Sequence, residues 1–195
     1  MTEGVQAHIR AVTREGRACI LKSPRGGILQ LFSRWTLDRE ARVYARLAGV
    51  GGVPACHGIT DEGLWLEAID GRPLAGFRRG EISVEFLDAL DRIIAAIHAR
   101  GVAHSDLKKR ENILVVDGQH PVILDFGAAF VEGELLFETF RRIDMAAAAK
   151  LRAHHQPDTL RPEQRALLDS PTWAERLSRF LIRTVRDPWR ALTRP

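Results

Sequence analysis

The order of elements along this chain predicts an α+β fold with two lobes. Short apolar stretches precede one helix and a further strand, after which come a long amphipathic helix, a β-hairpin and more helices. Strands and helices that are not in strict alternation are typical of α+β domains. The 195 residues, of which 45% are hydrophobic and 28% charged, suffice for one globular domain with its own core.

The first lobe is predicted from a hairpin, a helix and a strand. Loose alternation indicates a strand over Ala7 to Thr13, and turn residues at 14–17 join it to a second strand, Ala18 to Lys22. Apolar and small residues recur at helical intervals from Leu37 to Leu47, until glycines and a proline end the pattern. Leu64 to Ile69 is a short apolar strand.

The second lobe begins with the clearest helix of the chain, Val84 to Arg100. Its apolar residues form one wide stripe, and Gly101 is placed as a C-cap. Two short strands follow, Ile113 to Val116 and Val122 to Leu124, and the pattern is helical again from Phe137 to Leu151.

We therefore expect one domain over residues 1–195, with a small lobe over about 1–70, a large lobe over 71–170 and a C-terminal helix over 171–195. No apolar run is long enough to cross a bilayer, and the first ten residues lack the apolar core of a signal peptide. These features predict a cytoplasmic protein.

Two polar motifs flank the predicted hairpin. The first runs from His104 to Val115, and the second is Asp125-Phe126-Gly127, directly after a strand. Phosphoryl transfer from ATP needs a carboxylate to orient the acceptor hydroxyl, oxygen ligands for Mg²⁺ and a cation for the transferring group. Asp106 suits the first role, Asn112 and Asp125 suit the second, and Lys108 can supply the cation.

Taken together, these motifs resemble the catalytic and metal-binding loops of the protein kinase superfamily. The resemblance implies a two-lobed protein-kinase-like fold with a reduced N-terminal lobe, and ATP and Mg²⁺ as ligands. It makes Asp106, Lys108 and His104 catalytic, and Asn112 and Asp125 metal ligands. The alternative is a buried His and Asp at a strand end and a chance turn, but two motifs in order on either side of a hairpin argue against it.

The resemblance also implies a nucleotide-binding set in the first lobe. Lys22 would contact the α- and β-phosphates, and Glu40 on the next helix would hold that lysine. The backbone of Glu67 to Ile69 would meet adenine. Asp144, in the helix after the metal loop, matches the aspartate that braces the catalytic loop.

The chain departs from conventional protein kinases in its phosphate-binding parts. No Gly-x-Gly-x-x-Gly loop precedes Lys22, so phosphates would have to be covered by the turn at 14–17 or by the loop at 25–27. Asn112 follows Asp106 by six positions where most kinases have five, so one residue has to bulge.

The regulatory and docking parts depart as well. Ser105 replaces the arginine that many kinases use to sense a phosphorylated activation loop, and no Ala-Pro-Glu motif precedes Asp144. In these respects the chain is similar to compact kinase-like branches, the RIO-type kinases and the bacterial lipopolysaccharide-core sugar kinases such as Kdo kinase.

The predicted function is ATP-dependent phosphorylation of a hydroxyl on a protein, sugar or glycolipid, with no nucleic acid as partner. One alternative is a pseudokinase that binds nucleotide or a partner without catalysis. The missing glycine loop and the enlarged catalytic loop favour it, and the intact Lys, Glu, Asp, Asn and Asp set argues against it. An antibiotic phosphotransferase shares part of the motif, but the Asp-Phe-Gly form and the small size disfavour it.

The C-terminal stretch is basic and amphipathic. Six arginines lie between Trp173 and Pro195 against two acidic residues, and the pattern predicts a helix over 171–185. Residues 173–190 could contact an anionic membrane and place the protein at its inner face. The alternative is a helix packed on the large lobe with its arginines in water.

Overall fold

The structure, a computed structural model, describes residues 7–24, 26–27 and 30–169. Within them the predicted α+β class is confirmed, because strands and helices separate into two lobes. The smaller lobe combines a four-stranded antiparallel sheet with one helix. The larger lobe contains the other described helices and two small sheets.

The sheet of the smaller lobe has the strand order β1-β2-β4-β3. The strands are β1 (Ala7–Arg14), β2 (Arg17–Pro24), β3 (Cys56–Thr60) and β4 (Gly63–Glu67). The predicted hairpin is confirmed: Glu15 and Gly16 form a two-residue turn with φ of 51° and 75°, the backbone that matches the twist of paired strands. Sequence analysis did not predict β3, because four of its five residues are exposed and show no apolar alternation.

The helix of the smaller lobe, α1 (Gln30–Arg46), begins seven residues before the predicted start at Leu37. Its first two turns expose Leu31, Phe32 and Trp35, so their apolar side chains add no buried stripe to the pattern. The buried face starts at Leu37 and includes Glu40, which lies against β2.

The long helix of the larger lobe, α2 (Val84–Ala99), ends one residue before the prediction. The Ser83 hydroxyl caps its first turn by accepting the Phe86 N–H at 3.2 Å. Gly101 follows the helix with φ of 66°, a left-handed conformation that glycine adopts without strain. Both ends of α2 are thus set by local sequence.

Two antiparallel pairings bring the predicted catalytic and metal loops together. The strands are β5 (Arg72–Pro73), β6 (Val102–Ala103), β7 (Ile113–Val116), β8 (His120–Ile123) and β9 (Phe130–Val131). Ile113 at the start of β7 pairs with Ile123 at the end of β8, and Ala103 at the end of β6 pairs with Phe130 in β9. The loop over 104–112 and the loop over 124–129 therefore leave the strands at the same end.

Two further helices complete the described part of the larger lobe, α3 (Phe137–His155) and α4 (Pro162–Asp169). The helix predicted over 137–151 is confirmed and extends four residues further. The short α4 was not predicted. The buried guanidinium of Arg152 joins α3 to two carboxylates of α2, those of Asp88 and Asp91. Arg161, directly before α4, binds the same two carboxylates and so ties α4 to α2.

The predicted helix over 171–185 and the basic stretch over 173–190 lie outside the described residues. Among the residues that are described, no helix has both the length and the hydropathy needed to cross a bilayer.

Candidate active site

A buried cluster of charges joins β2, α1 and the loop after β8. Lys22 Nζ lies 2.6 Å from Glu40 Oε1 and 2.8 Å from Asp125 Oδ1. The Lys22 and Glu40 side chains are 9% and 5% exposed, whereas that of Asp125 is 50% exposed. The predicted contact between Lys22 and Glu40 is therefore present, and the predicted metal ligand Asp125 adjoins it.

The cluster holds Lys22 and Asp125 in their charged forms. Burial by itself would lower the pKa of Lys22, but the charges of Glu40 and Asp125 outweigh it and raise that pKa above its ordinary value. Burial likewise opposes ionisation of Asp125, yet the Lys22 ammonium prevails and lowers the pKa of the carboxyl. A half-exposed, ionised carboxylate is an oxygen ligand of the kind that Mg²⁺ prefers.

The residue after Asp125 anchors this loop in the core. Phe126 is fully buried, and its ring centroid lies 5.2 Å from that of Tyr44 in α1 and 4.8 Å from that of His104. Asp125 has a left-handed backbone with φ of 64°, which costs free energy in a residue other than glycine but is tolerated best by Asp and Asn. Packing of Phe126 offsets that cost and fixes the position of the carboxylate.

A buried carboxylate on α3 fixes the loop that carries Asp106. Asp144, with no exposed surface, accepts the backbone N–H groups of His104 at 2.7 Å and Ser105 at 2.9 Å. The His98 ring contacts the same carboxylate at 3.2 Å. The predicted contact of Asp144 with the loop that carries Asp106 is therefore present.

His104 has both ring nitrogens engaged inside the protein. Its Nε2 donates to the Leu124 carbonyl oxygen at 2.8 Å, and its Nδ1 accepts the Asp106 N–H at 3.3 Å, in the tautomer that these partners assign. The ring is 1% exposed. This geometry suits a residue that holds two loops together, rather than the direct catalytic part predicted for His104.

Asp106 has a lysine partner within its own loop. The Lys109 Nζ forms an ion pair with Asp106 Oδ2, whereas the Lys108 side chain is exposed. Lys109 also acts on Asp125, where it adds to the effect of Lys22 and lowers the pKa against burial. Asp106 and Asp125 therefore lie on the same side of the domain, within range of one ammonium.

The extra residue between Asp106 and Asn112 is taken up by tight turns, as the spacing predicts. The Lys109 N–H donates to the Asp106 carbonyl at 3.2 Å, and the Asn112 N–H donates to the Lys109 carbonyl at 3.0 Å. The Asn112 Nδ2 donates to the same Asp106 carbonyl at 3.2 Å. The Asn112 carbonyl accepts the Leu124 N–H at 2.8 Å, so Asn112 stays beside the loop that carries Asp125.

The strand predicted to meet adenine ends at Glu67, two residues before Ile69. The Glu67 N–H donates to the Ala55 carbonyl at 2.8 Å, and the Ala68 N–H donates to the Ala18 carbonyl at 3.2 Å. The Ile69 N–H has no acceptor within the described residues. Of the N–H groups predicted to meet adenine, that of Ile69 is the one left for a ligand.

The turn between β1 and β2 is excluded as the predicted cover for phosphates. Arg17 lies five residues from Lys22 along β2, about 17 Å at the rise of an extended strand. The Arg14 guanidinium is stacked on the Trp65 ring at 4.8 Å. The register places Ile9, near the start of β1, opposite Lys22, so the prediction of a cover at 14–17 is wrong.

Sequence analysis missed two contacts of this site. The Lys109 pair had a signal, because basic residues occupy three consecutive positions from 108 to 110. The second, between Arg39 on α1 and Glu134 before α3 at 2.9 Å, had none, because the two residues are 95 positions apart and belong to no motif.

No protein-family model matches the chain. Among curated proteins, the probable SapB synthase of Streptomyces coelicolor is 32% identical over 154 residues. The match takes in 66% of this chain and 16% of the synthase, so the chain spans only a small part of that protein.

Two crystal structures of the Rio2 kinase from Chaetomium thermophilum are similar to this chain. One, a Rio2 kinase–ADP/Mg²⁺–phosphoaspartate complex, has a TM-score of 0.65 at 17% identity and covers 92% of this chain and 63% of the Rio2 chain. The other, described as the Rio2 kinase, has a TM-score of 0.65 at 16% identity and covers 98% of this chain and 72% of its own. At this identity the likeness shows the fold alone, and it establishes that this chain has the two-lobed protein-kinase-like fold, with a reduced N-terminal lobe, that its motifs predict.

Proposed function

We propose that the chain is an ATP-dependent phosphotransferase that transfers the γ-phosphate to a hydroxyl group on a protein, sugar or glycolipid. The observation that carries the proposal is the Lys22 ammonium held between Glu40 and Asp125 at 2.6 and 2.8 Å. Burying a lysine with its carboxylate partners costs desolvation free energy, and apolar residues would join the sheet to the helix without that cost. The cluster is better explained by a need for a fixed cation at bound phosphates.

Asp106 is the proposed base of the reaction. Its carboxylate would orient the acceptor hydroxyl and take its proton as the oxygen bonds to the γ-phosphorus, while the bond to the β-phosphate oxygen breaks and ADP leaves. The loose transition state asks little of the base, so an ordinary carboxylate suffices. Asp144 would act through the backbone by keeping this loop in place.

Asp125 and Asn112 are the proposed ligands of Mg²⁺. The ion would neutralise charge on the β- and γ-phosphates. Among the described residues no group of three or more His, Cys, Asp or Glu side chains is arranged to hold a metal by itself. We therefore expect tight Mg²⁺ binding only together with nucleotide, as for ions that share ligands with phosphate. The Rio2 structure with ADP and Mg²⁺ supports a magnesium–nucleotide ligand for a protein of this fold.

Lys109 is the proposed cation for the transferring phosphate, in place of Lys108. It already contacts Asp106 in this structure, and it acts on Asp125. We expect Lys109→Ala to lower the transfer rate about a hundredfold, as for loss of one group that stabilises transition-state charge, and Lys108→Ala to have a much smaller effect. Equal losses in the two variants would contradict this assignment.

The test of the function is transfer of label from γ-³²P-ATP to a cell lysate separated into lipid, polysaccharide and protein fractions. The fraction that takes label identifies the acceptor class. We expect Asp106→Asn to lower transfer by about 10²–10⁴ with ATP binding retained, the range for loss of a general base. Asp117→Asn, in the exposed β7–β8 loop, is the matched control. Full transfer by the Asp106 variant would refute the proposal.

The alternative is a pseudokinase-type module that binds nucleotide or a partner without catalysis, and one structural observation adds to the two sequence features that favour it. The β1–β2 turn is too far from Lys22 to cover phosphates. Binding of Mg²⁺-ATP without turnover or label transfer would support it. The name of the SapB synthase favours none of the three acceptor classes.

Membrane contact through residues 173–190 is a separate proposal, which rests on the arginine and tryptophan pattern. Flotation of the full chain with vesicles of anionic or neutral phospholipid tests it, and Arg→Gln changes at 179, 183 and 186 should abolish binding to the anionic vesicles. Equal flotation of the wild type and the substituted chain with anionic vesicles would remove this proposal.

A further inference from the structure

The connection between Gly127 and Phe137, called here the connecting segment, is held without a phosphate-sensing arginine. Ser105 occupies the position where many kinases have that arginine. Its hydroxyl donates to the Ala128 carbonyl at 2.7 Å, which is a neutral hydrogen bond. The catalytic loop therefore has no cation at this position to attract a phosphorylated residue.

An ion pair joins the same segment to α1 instead. Arg39 Nη2 lies 3.1 and 2.9 Å from the two carboxylate oxygens of Glu134. The two side chains are 23% and 35% exposed, so water screens the pair only in part. This contact crosses from the smaller lobe to the larger one.

The Glu134 carboxylate is fixed on its own side of the contact. Its Oε2 accepts the Val131 N–H at 2.9 Å, and its backbone N–H donates to the Val131 carbonyl at 3.0 Å. Its carbonyl accepts the Phe137 N–H at 3.1 Å at the start of α3. Glu134 thus presents a preorganised anion, because the turn around it holds the carboxylate in place before Arg39 arrives.

The position of Arg39 makes this anion relevant to the charge cluster. Arg39 directly precedes Glu40, so on a helix the two side chains point about 100° apart. A contact at Arg39 therefore fixes the rotation of α1 that brings Glu40 to Lys22. The ring contact between Tyr44 and Phe126 restrains the same helix one turn further on.

We propose that Glu134 is a permanent substitute for an activation-loop phosphate, and that Glu134 and Arg39 are positioning residues that keep α1 turned so that Glu40 meets Lys22. The proposal deepens the proposed function, and its effect on catalysis rests on that function. Its structural part, the effect of Glu134 and Arg39 on the position of α1, does not rest on the proposed function. The chain needs no phosphorylation of the connecting segment to assemble the Lys22 cluster.

The experiment compares the wild type with three full-length variants. Glu134→Gln removes the charge but keeps an oxygen for the Val131 N–H. R39E/E134R exchanges the two charges. Glu138→Gln is the matched control. It makes the same chemical change in the first turn of α3 and breaks an exposed ion pair with Arg141. Each protein is measured by amide hydrogen exchange over residues 37–43 and by kcat and KM for ATP.

We expect Glu134→Gln to speed exchange over 37–43 and to lower kcat/KM for ATP, each about tenfold, as for loss of one coupled pair. The exchanged pair should recover only part of both losses, because it restores the ion pair but leaves the Val131 N–H without its carboxylate acceptor. Glu138→Gln should behave as the wild type.

Two results would overturn the inference. One is exchange over 37–43 that is the same in Glu134→Gln as in Glu138→Gln. The other is a loss in Glu134→Gln that the charge-exchanged variant does not recover at all. If the wild type proves unable to use ATP, the proposed function fails, but the exchange measurements still decide whether Glu134 positions α1.

Discussion

Replacement of Lys22 by Met tests the charge cluster most directly. The change removes an ammonium that contacts two carboxylates, and the carboxylate of Glu40 is buried. Breaking a buried pair by removing one partner costs about 3–5 kcal/mol, because the remaining charge has no counter-ion. At roughly 2–4 °C per kcal/mol for a domain of this size, the thermal midpoint at pH 7 should fall by about 6–20 °C.

The loss should depend on pH with a defined sign. Burial raises the pKa of Glu40 above its ordinary 4.5, and the Lys22 ammonium opposes this effect. Without the ammonium the pKa of Glu40 rises further. A folded-state pKa above the unfolded value gives stability that is complete below the unfolded pKa and is lost as pH rises through the folded pKa. The deficit of Lys22→Met should therefore shrink as the pH is lowered from 7 toward 4.5.

The double variant K22M/E40M is the control. It replaces the buried pair by apolar side chains of similar length, which is often neutral for stability. The free energy of unfolding should therefore recover to within about 1 kcal/mol of the wild type, which is about 2–4 °C in the thermal midpoint. Phosphate transfer should not recover, because the cation at the phosphates is still missing.

Thermal unfolding between pH 4.5 and 8, together with label transfer, provides the measurements. If Lys22→Met is as stable as the wild type at pH 7, or if its loss of stability grows as the pH falls, no buried ion pair exists at this position. Recovery of transfer in the double variant would show that the cluster has no part in catalysis.

Three further predictions concern the loop and the lower part of the larger lobe. Asp144→Asn should lower kcat by about tenfold or more with ATP affinity unchanged, since the amide replaces one of two carboxylate acceptors by a donor; ATP titration and steady-state rates separate the two. Arg152→Met should lower the free energy of unfolding by about 2–3 kcal/mol, less than for a fully buried pair because its partner carboxylates are partly exposed, and urea denaturation measures it. Burial and the charge of a neighbouring histidine lower the pKa of His155, so its contribution to stability is complete above the ordinary pKa of 6.5 and is lost as pH falls through the folded-state pKa. In His155→Leu the urea midpoint should therefore depend less on pH between 7 and 5 than in the wild type. The same pH dependence in both proteins would contradict the prediction.

Local chemistry made much of the fold predictable. The turn at Glu15 and Gly16 and the ends of α2 at Ser83 and Gly101 follow from backbone preferences that act within a few residues. Where side chains are exposed, the same reasoning failed. The first two turns of α1 and the edge strand β3 show no buried periodicity, so their sequence pattern contained no signal.

The contacts of the candidate site also divide into those that the sequence predicted and those that it did not. The motif predicted the contact between Lys22 and Glu40 and the bracing by Asp144, and both contacts are present. It did not predict the ion pair of Lys109 with Asp106, and the role of Lys108 at the transferring phosphate stays a prediction. The turns that take up the extra residue close through hydrogen bonds to Asp106 and Asn112, and residue spacing alone does not show which side chain pairs with Asp106.

By itself, the sequence determined most of the elements and the types of residue at the site, because capping, turn chemistry and hydrophobic periodicity act over a few positions. Beyond the pair of Lys22 and Glu40, only the tertiary structure decided which charges meet. Two antiparallel pairings, Ile113 with Ile123 and Ala103 with Phe130, bring the loops of Asp106 and Asp125 to one end. The contact of Arg39 with Glu134 spans 95 positions, and such contacts follow from the packing of whole elements, which no local pattern encodes.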